Sequence, residues 1–78
     1  MKIYVGNLPY DTTAADLKKA FGKFGEVRKA TIVQDERTGA SLGFAHILMG
    51  NPSSGRKALT LLNNTEFMGR KLMLKSMS

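Results

Sequence analysis

The order of its apolar patterns predicts that this chain folds as an α+β sandwich, a four-stranded antiparallel sheet with two helices on one face. Two observations point there. Short runs alternate apolar and polar residues with the period of a half-buried strand, while two longer runs repeat at helical spacing. Gly, Pro, Asn and Asp punctuate them in the order strand, helix, strand, strand, helix, strand. A chain of 78 residues has length for one such core, so residues 1–78 are expected to form a single domain. So short a chain buries only about 60% of its unfolded surface, and its stability is expected to be small.

Residues near 2–6 (K-I-Y-V-G) read as the first strand, closed by Asn7, Leu8 and Pro9. Thr13 is placed to cap the following helix, with Asp16 at the third helical position completing a capping box. Leu17, Ala20, Phe21 and Phe24 then fall at i, i+3, i+4 and i+7, an apolar stripe that leaves Lys18, Lys19 and Lys23 toward solvent. Gly25 stands where a left-handed residue would stop the helix. A second strand runs from about Val27 to Val33 and ends in the polar loop Asp35 to Gly39. The third lies near 42–49, its alternation setting Gly43, Ala45, Ile47 and Met49 on one face and Leu42, Phe44, His46 and Leu48 on the other. Gly50 to Ser53 break the chain, and a helix from about Ser53 to Asn63 buries Ala58, Leu59 and Leu62. Glu66 and Phe67, a turn at Met68 and Gly69, and residues near 71–76 read as the last strand, with Leu72 and Leu74 inward. This is the split βαβ, or ferredoxin-like βαββαβ, order.

Twelve Lys and Arg against six Asp and Glu give a net charge of +6. That balance points toward a polyanion, with nucleic acid first and acidic membrane or acidic protein next. The absence of cysteine excludes disulfides, thiolate metal sites and cysteine nucleophiles, and it fits a reducing compartment. No apolar run approaches the ~18 residues that cross a bilayer, so no membrane role is expected. The opening M-K-I-Y-V-G-N-L-P is too short an apolar stretch for a secretory signal. A cytoplasmic protein is expected, or a nuclear one in a eukaryotic cell. Asn63-Asn64-Thr65 matches a glycosylation acceptor by chance on this reading. Nothing in the sequence asks for a metal or a cofactor.

Two helices cover only one face of the predicted sheet, so the residues of the other face carry the evidence for function. Alternation sets Lys2 and Tyr4 of the first strand there, with Phe44 and His46 of the third and Lys71, Met73 and Lys75 of the last. Aromatic rings held toward water are costly unless they receive something flat. Bases are flat, and stacking one on an aromatic side chain is worth about 1–3 kcal/mol. Lysines around the rings would meet the phosphates between the bases.

Two segments make this specific. I-Y-V-G-N-L at 3–8 resembles the shorter signature of the RNA-recognition motif, and L-G-F-A-H-I-L-M at 42–49 resembles its longer partner, [K/R]-G-[F/Y]-[G/A]-F-V-x-[F/Y]. The intervening F-G-K-F-G-E-V, the Asp35 to Gly39 loop and the late G-R-K-L are similar too, so the resemblance runs through the whole chain. It is nearest to small, stand-alone bacterial members. The resemblance implies strand order 4-1-3-2, with the first and third strands central and Tyr4 beside Phe44 and His46. It implies a non-catalytic domain binding single-stranded RNA, with about 2–4 nucleotides on the sheet. Tyr4, Phe44 and His46 would stack bases beside Met73, and Lys2, Lys71, Lys75 and Arg37 would meet phosphates. Single-stranded DNA, which offers the same flat bases, is an alternative partner.

The chain also departs from the pattern. Leu42 stands where the family has Arg or Lys, removing a phosphate contact. His46 replaces the second stacking Phe with a smaller ring whose charge depends on pH. Met49 replaces an aromatic on the buried side, a packing change. Binding weaker than that of a full-motif member is expected.

Each residue has a plainer explanation. Tyrosine favours strands without any ligand, a lone histidine on an open sheet is often only tolerated, and lysines usually mark solvated faces. Gly22-Lys23-Phe24-Gly25 matches the G-x-x-G clamp of KH domains, but that clamp needs a helix on both sides and Val27 opens a strand. Acylphosphatase-like enzymes of this element order need an Arg-bearing loop after the first strand, where G-N-L-P-Y-D carries no cation. Metal chaperones of similar topology need a C-x-x-C pair. The competing reading is a protein partner or self-association through Leu42, Leu48, Met73 and Val33, which make the open face more apolar than RNA binding requires.

Overall fold

The computed structural model describes residues 1–77. Its elements are β1 (Lys2–Gly6), α1 (Ala14–Gly22), β2 (Val27–Gln34), β3 (Ser41–Met49), α2 (Pro52–Leu62), β4 (Glu66–Phe67), β5 (Arg70–Lys71) and β6 (Met73–Ser76). β2, β3, β1 and β6 form one antiparallel sheet in that spatial order, with β1 and β3 central. This is the expected order, read from the other edge with β6 as the fourth strand.

Alternation sorts the two central strands. Ile3, Val5, Ala45, Ile47 and Met49 are buried beneath the helices, which contribute Leu17, Phe21 and Ala58 to the same core. Leu8, Leu72 and Leu74 close its ends. Each fully buried Ile, Leu or Phe side chain stabilises the fold by about 1.5–3 kcal/mol. Leu59 and Leu62, expected inside, are only half-buried at the margin.

The helix starts follow from local chemistry. Thr13 Oγ1 accepts from the Asp16 amide at 3.1 Å while the Thr13 amide donates to Asp16 Oδ2 at 3.0 Å, the anticipated capping box. α2 begins slightly earlier than expected, because Asn51 Oδ1 accepts from the Ser53 amide at 2.8 Å and Pro52 takes the first turn, where its missing N–H costs nothing.

Three expectations are corrected. α1 stops at Gly22 with Lys23 as a right-handed cap, and Gly25 has φ 151°, away from the left-handed helical region. The glycine serves a close approach instead: a Cβ at this position would collide with Ser54 of α2. The last strand is not continuous. Arg70–Lys71 pairs with Glu66–Phe67 in a small hairpin, and the main chain of Leu72 turns to Asn64 and Thr65 before β6 begins. Lys71 therefore lies outside the four-stranded sheet. The third correction is at the start of β3, where the partner of β2 jumps from Ala45 to Ser41 between Ile32 and Gln34. Gly43, at φ 83°, turns its carbonyl to the Leu8 amide at 2.9 Å, and a Cβ there would face Tyr10 rather than the core.

Gly25→Ala is expected to destabilise for two separable reasons. The backbone strain is of order 1–3 kcal/mol, and the collision with Ser54 adds to it. Urea melts of Gly25→Ala in the parent and in a Ser54→Gly background measure both. The substitution should cost less in the second background, yet still cost something. Equal costs would show that the turn and α2 are not in close contact.

Candidate nucleic-acid interface

The register of β1 lays out the uncovered face. Tyr4 lies opposite His46 of β3 on one side and Lys75 of β6 on the other, and His46 lies opposite Thr31 of β2. A row therefore crosses the whole sheet: Lys75, Tyr4, His46, Thr31. In the next row Lys2 lies opposite Leu48, which lies opposite Lys29. At the other end Met73 lies opposite Gly6.

Tyr4, Phe44 and His46 are each half-buried, so each ring leans on the sheet while remaining accessible. The Tyr4 and Phe44 centroids are 5.7 Å apart with planes tilted by 38°, and those of Phe44 and His46 are 6.5 Å apart at 47°. The rings form a tilted band and do not stack on one another. Gly6 accounts for the pose of Tyr4. A Cβ on Gly6 would lie 2.8 Å from the Tyr4 hydroxyl and 3.0 Å from Cε1, so the ring lies down over a residue without a side chain.

Three shallow depressions surround the band. One of about 530 Å³ is lined by Lys2, Lys29, Thr31, His46 and Leu48. A second, of about 320 Å³, lies toward β6 between Tyr4, Met73, Lys75 and Asn63. The third, of about 240 Å³, adjoins Tyr4 and Phe44 at the start of β3. Among the described residues no carboxylate lines any of them. Among the described residues the ion pairs are Arg28 with Glu26 at 3.4 Å and Arg37 with Asp35 at 3.9 Å, both away from the rings. Lys2, Lys29 and Lys75 thus have no ion-pair partner among the described residues beside the aromatic band.

Of the residues expected here, Lys2, Tyr4, Phe44, His46, Met73 and Lys75 share this face. Lys71 does not: its carbonyl accepts from Asn7 Nδ2 at 2.7 Å, within the β5 hairpin. Arg37 stays in the loop between β2 and β3, where its amide donates to Asp35 Oδ1 at 2.8 Å, and it lines none of the three depressions. Sequence reasoning missed Lys29 and Thr31. Alternation outward from Ala30 and Ile32 would have found them, had the irregularity at Arg28 not obscured the strand's phase. It also missed Gly6, Tyr10 and Arg70, whose placement depends on contacts between distant segments.

Leu42, Leu48 and Met73 are exposed, giving the face apolar edges around its rings and cations.

Comparison with known proteins agrees with this geometry. Residues 3–73 match the family model described as the RNA recognition motif. The candidate RNA-binding protein RbpD of Nostoc sp. (strain PCC 7120) is 44% identical over 72 residues, covering 92% of this chain and 77% of that protein. The crystal structure of RNA-binding protein PG1 superposes with a TM-score of 0.96 at 38% identity, covering 100% of this chain and 95% of that one. The structure of the RNA15 RRM with bound RNA (GU) superposes with a TM-score of 0.86 at 28% identity, covering 99% of this chain and 82% of the other. With both signatures on adjacent central strands and the family pattern spanning nearly its full length, the chain belongs to the RNA recognition motif family.

Proposed function

We propose that residues 1–78 act as one non-catalytic unit in the cytoplasm that holds single-stranded RNA across the open sheet, about 2–4 nucleotides at a time. The observation that carries this reading is the band of Tyr4, Phe44 and His46 on the face the helices leave uncovered, bordered among the described residues by unpaired lysines and by no carboxylate. The RNA15 domain with bound RNA, which has the same fold, supports it. Bases would stack on Tyr4, Phe44 and His46, with Met73 as an apolar neighbour. Lys2, Lys29 and Lys75 would meet the phosphates between them, and Lys71 and Arg37 would attract a longer strand from outside the sheet. Single-stranded DNA would use the same stacking and lack only contacts to the 2′-hydroxyl.

Tyr4→Ala and Phe44→Ala should each weaken RNA binding by about 1–3 kcal/mol. Neither ring belongs to the core, so thermal melts should stay near the parent. Binding isotherms with a labelled single-stranded RNA, paired with melts, check both halves. Unchanged affinity with a normal melt would remove that ring from the site.

Gly6→Ala should lower affinity without touching any RNA-contacting atom, because its methyl group would lift the Tyr4 ring from the sheet. The loss should not exceed the ~1–3 kcal/mol of a single stacked base. It should also vanish in a Tyr4→Ala background; a full-sized loss there would rule out this route.

Leu42→Arg should tighten binding and make it more salt-sensitive. One added phosphate contact changes the logarithmic salt slope by about −0.7 for a single strand. An unaltered slope would place the start of β3 out of reach of the RNA backbone. The same titration addresses an apolar protein-binding face, whose affinity would change little with salt.

A further inference from the structure

At the end of the sheet where β3 begins, Tyr10, Leu42 and Arg70 enclose the depression of about 240 Å³ that adjoins Tyr4 and Phe44. We propose that it is an additional nucleotide site, taking one base that has left the sheet beyond Phe44, with Tyr10 as its stacking ring and Arg70 meeting the adjoining phosphate. This rests on the RNA-binding reading above and extends it to residues of the β1–α1 loop and of β5.

Tyr10 is 74% exposed, the largest exposure among the big apolar side chains of the described residues. One edge of its ring rests on Gly43, where a Cβ would stand 3.4 Å from Cε1. The irregularity in β3 and the missing side chain of Gly43 let the ring settle beside Phe44 at the rim of the sheet. An aromatic ring so exposed, against a wall that includes two other rings, is suited to receiving a planar partner.

Arg70 supplies the charge. Its Nη2 donates to Asn7 Oδ1 at 2.6 Å, and Asn7 in turn donates to the Lys71 carbonyl at 2.7 Å. Asn7 has φ 62°, so the loop holds its amide between the two β5 residues. The guanidinium is thereby positioned by a neutral oxygen. It has no carboxylate partner among the described residues, and most of its five N–H donors remain free for a phosphate. Leu42, 48% exposed, gives the depression an apolar wall and no charge, so Arg70 is the cation that lines it. The space is smaller than the ~300–1,000 Å³ of drug-sized ligand sites. Three rings, one cation and no acid describe a seat for a single nucleotide more closely than one for a peptide or a metal.

The test uses a ladder of oligouridylates, lengthened one nucleotide at a time from the dinucleotide, with parent, Tyr10→Ala, Arg70→Gln and Tyr10→Trp. Short members, filling only the sheet, should bind all four proteins alike. Once the ladder is long enough to leave the sheet, Tyr10→Ala should bind about 5- to 150-fold more weakly than the parent. Arg70→Gln keeps a donor for Asn7 while removing the charge. It should reduce the salt slope by about 0.7, for the longer members alone. The chain contains no tryptophan, so Tyr10→Trp places a single reporter at the proposed seat. Its fluorescence should change with the long members and not with the short ones. Equal losses at every length would make Tyr10 and Arg70 supports of the sheet site and overturn the proposal, as would a reporter blind to every RNA or variants that bind every length like the parent. A parent that binds no member of the ladder, or binds without salt dependence as an apolar protein surface would, overturns the RNA reading itself and this site with it.

Discussion

A strand must send alternate side chains to opposite faces, and two helices can roof only one face of four strands. Here that constraint writes the core and the site together. The pairing that buries Ile3 and Val5 against Ala45 and Ile47 is the same pairing that sets Tyr4 opposite His46. Slipping β1 by one residue would exchange its faces, sending Lys2 and Tyr4 under the helices and Ile3 and Val5 into water. Burying an unpaired lysine costs several kcal/mol, and exposing two aliphatic side chains adds about 1.5–3 kcal/mol for each. The arrangement of the rings therefore needs no stabilising interaction of its own. It is held by the core on the other side of the same backbone.

What the core does not settle is the pose of each ring, and there local detail takes over. Tyr4 could stand away from the sheet; over Gly6 it lies down and comes within 5.7 Å of Phe44. A base that arrives on a ring already lying on the sheet loses less entropy than one that must first lay the ring down. The charges follow a related logic. Lys2, Lys29 and Lys75 lie beside the rings without carboxylate neighbours among the described residues, which sets like charges on one face at some expense in stability. That expense is small while the lysines are solvated, because water and salt screen them. It reverses when a polyanion arrives.

Much of this was legible in the sequence, for a definable reason. The rings and Ile3, Val5, Ala45 and Ile47 obey a rule of period two, and the capping box spans three residues, so local spacing suffices to find them. Where tertiary contact decides, local spacing fails. Gly25 looks like an ordinary helix stop, but Ser54 of another helix comes too close to leave room for a Cβ there. Lys71 follows the parity of Met73 and Lys75, yet Leu72 bonds through its main chain to Asn64 and Thr65 and divides the strand. The link from Arg70 to Asn7 joins residues 63 positions apart, and no pattern within either segment announces it. Lys29 and Thr31 are an intermediate case, governed by simple alternation but hidden behind the irregularity at Arg28.

This division between local rule and distant contact bears on selectivity. Stacking and phosphate contacts tolerate sequence, since every base has a π face and every nucleotide a phosphate. On the RNA-binding reading, the central band of Tyr4, Phe44 and His46 therefore supplies affinity more than choice. Choice requires directional donors and acceptors fixed in place and left unsatisfied by the protein. At the β6 edge several such groups are already engaged: Asn63 Oδ1 takes the Leu74 amide at 3.0 Å, and the Leu72 main chain is paired with Asn64 and Thr65. Asn7 is committed at both ends of its amide. Among the described residues, free directional groups near the rings include the Thr31 hydroxyl, at one end of the row through Tyr4 and His46, and the remaining Arg70 donors at the rim. These lie at opposite margins of the aromatic band. A strand lying across the whole sheet would meet both.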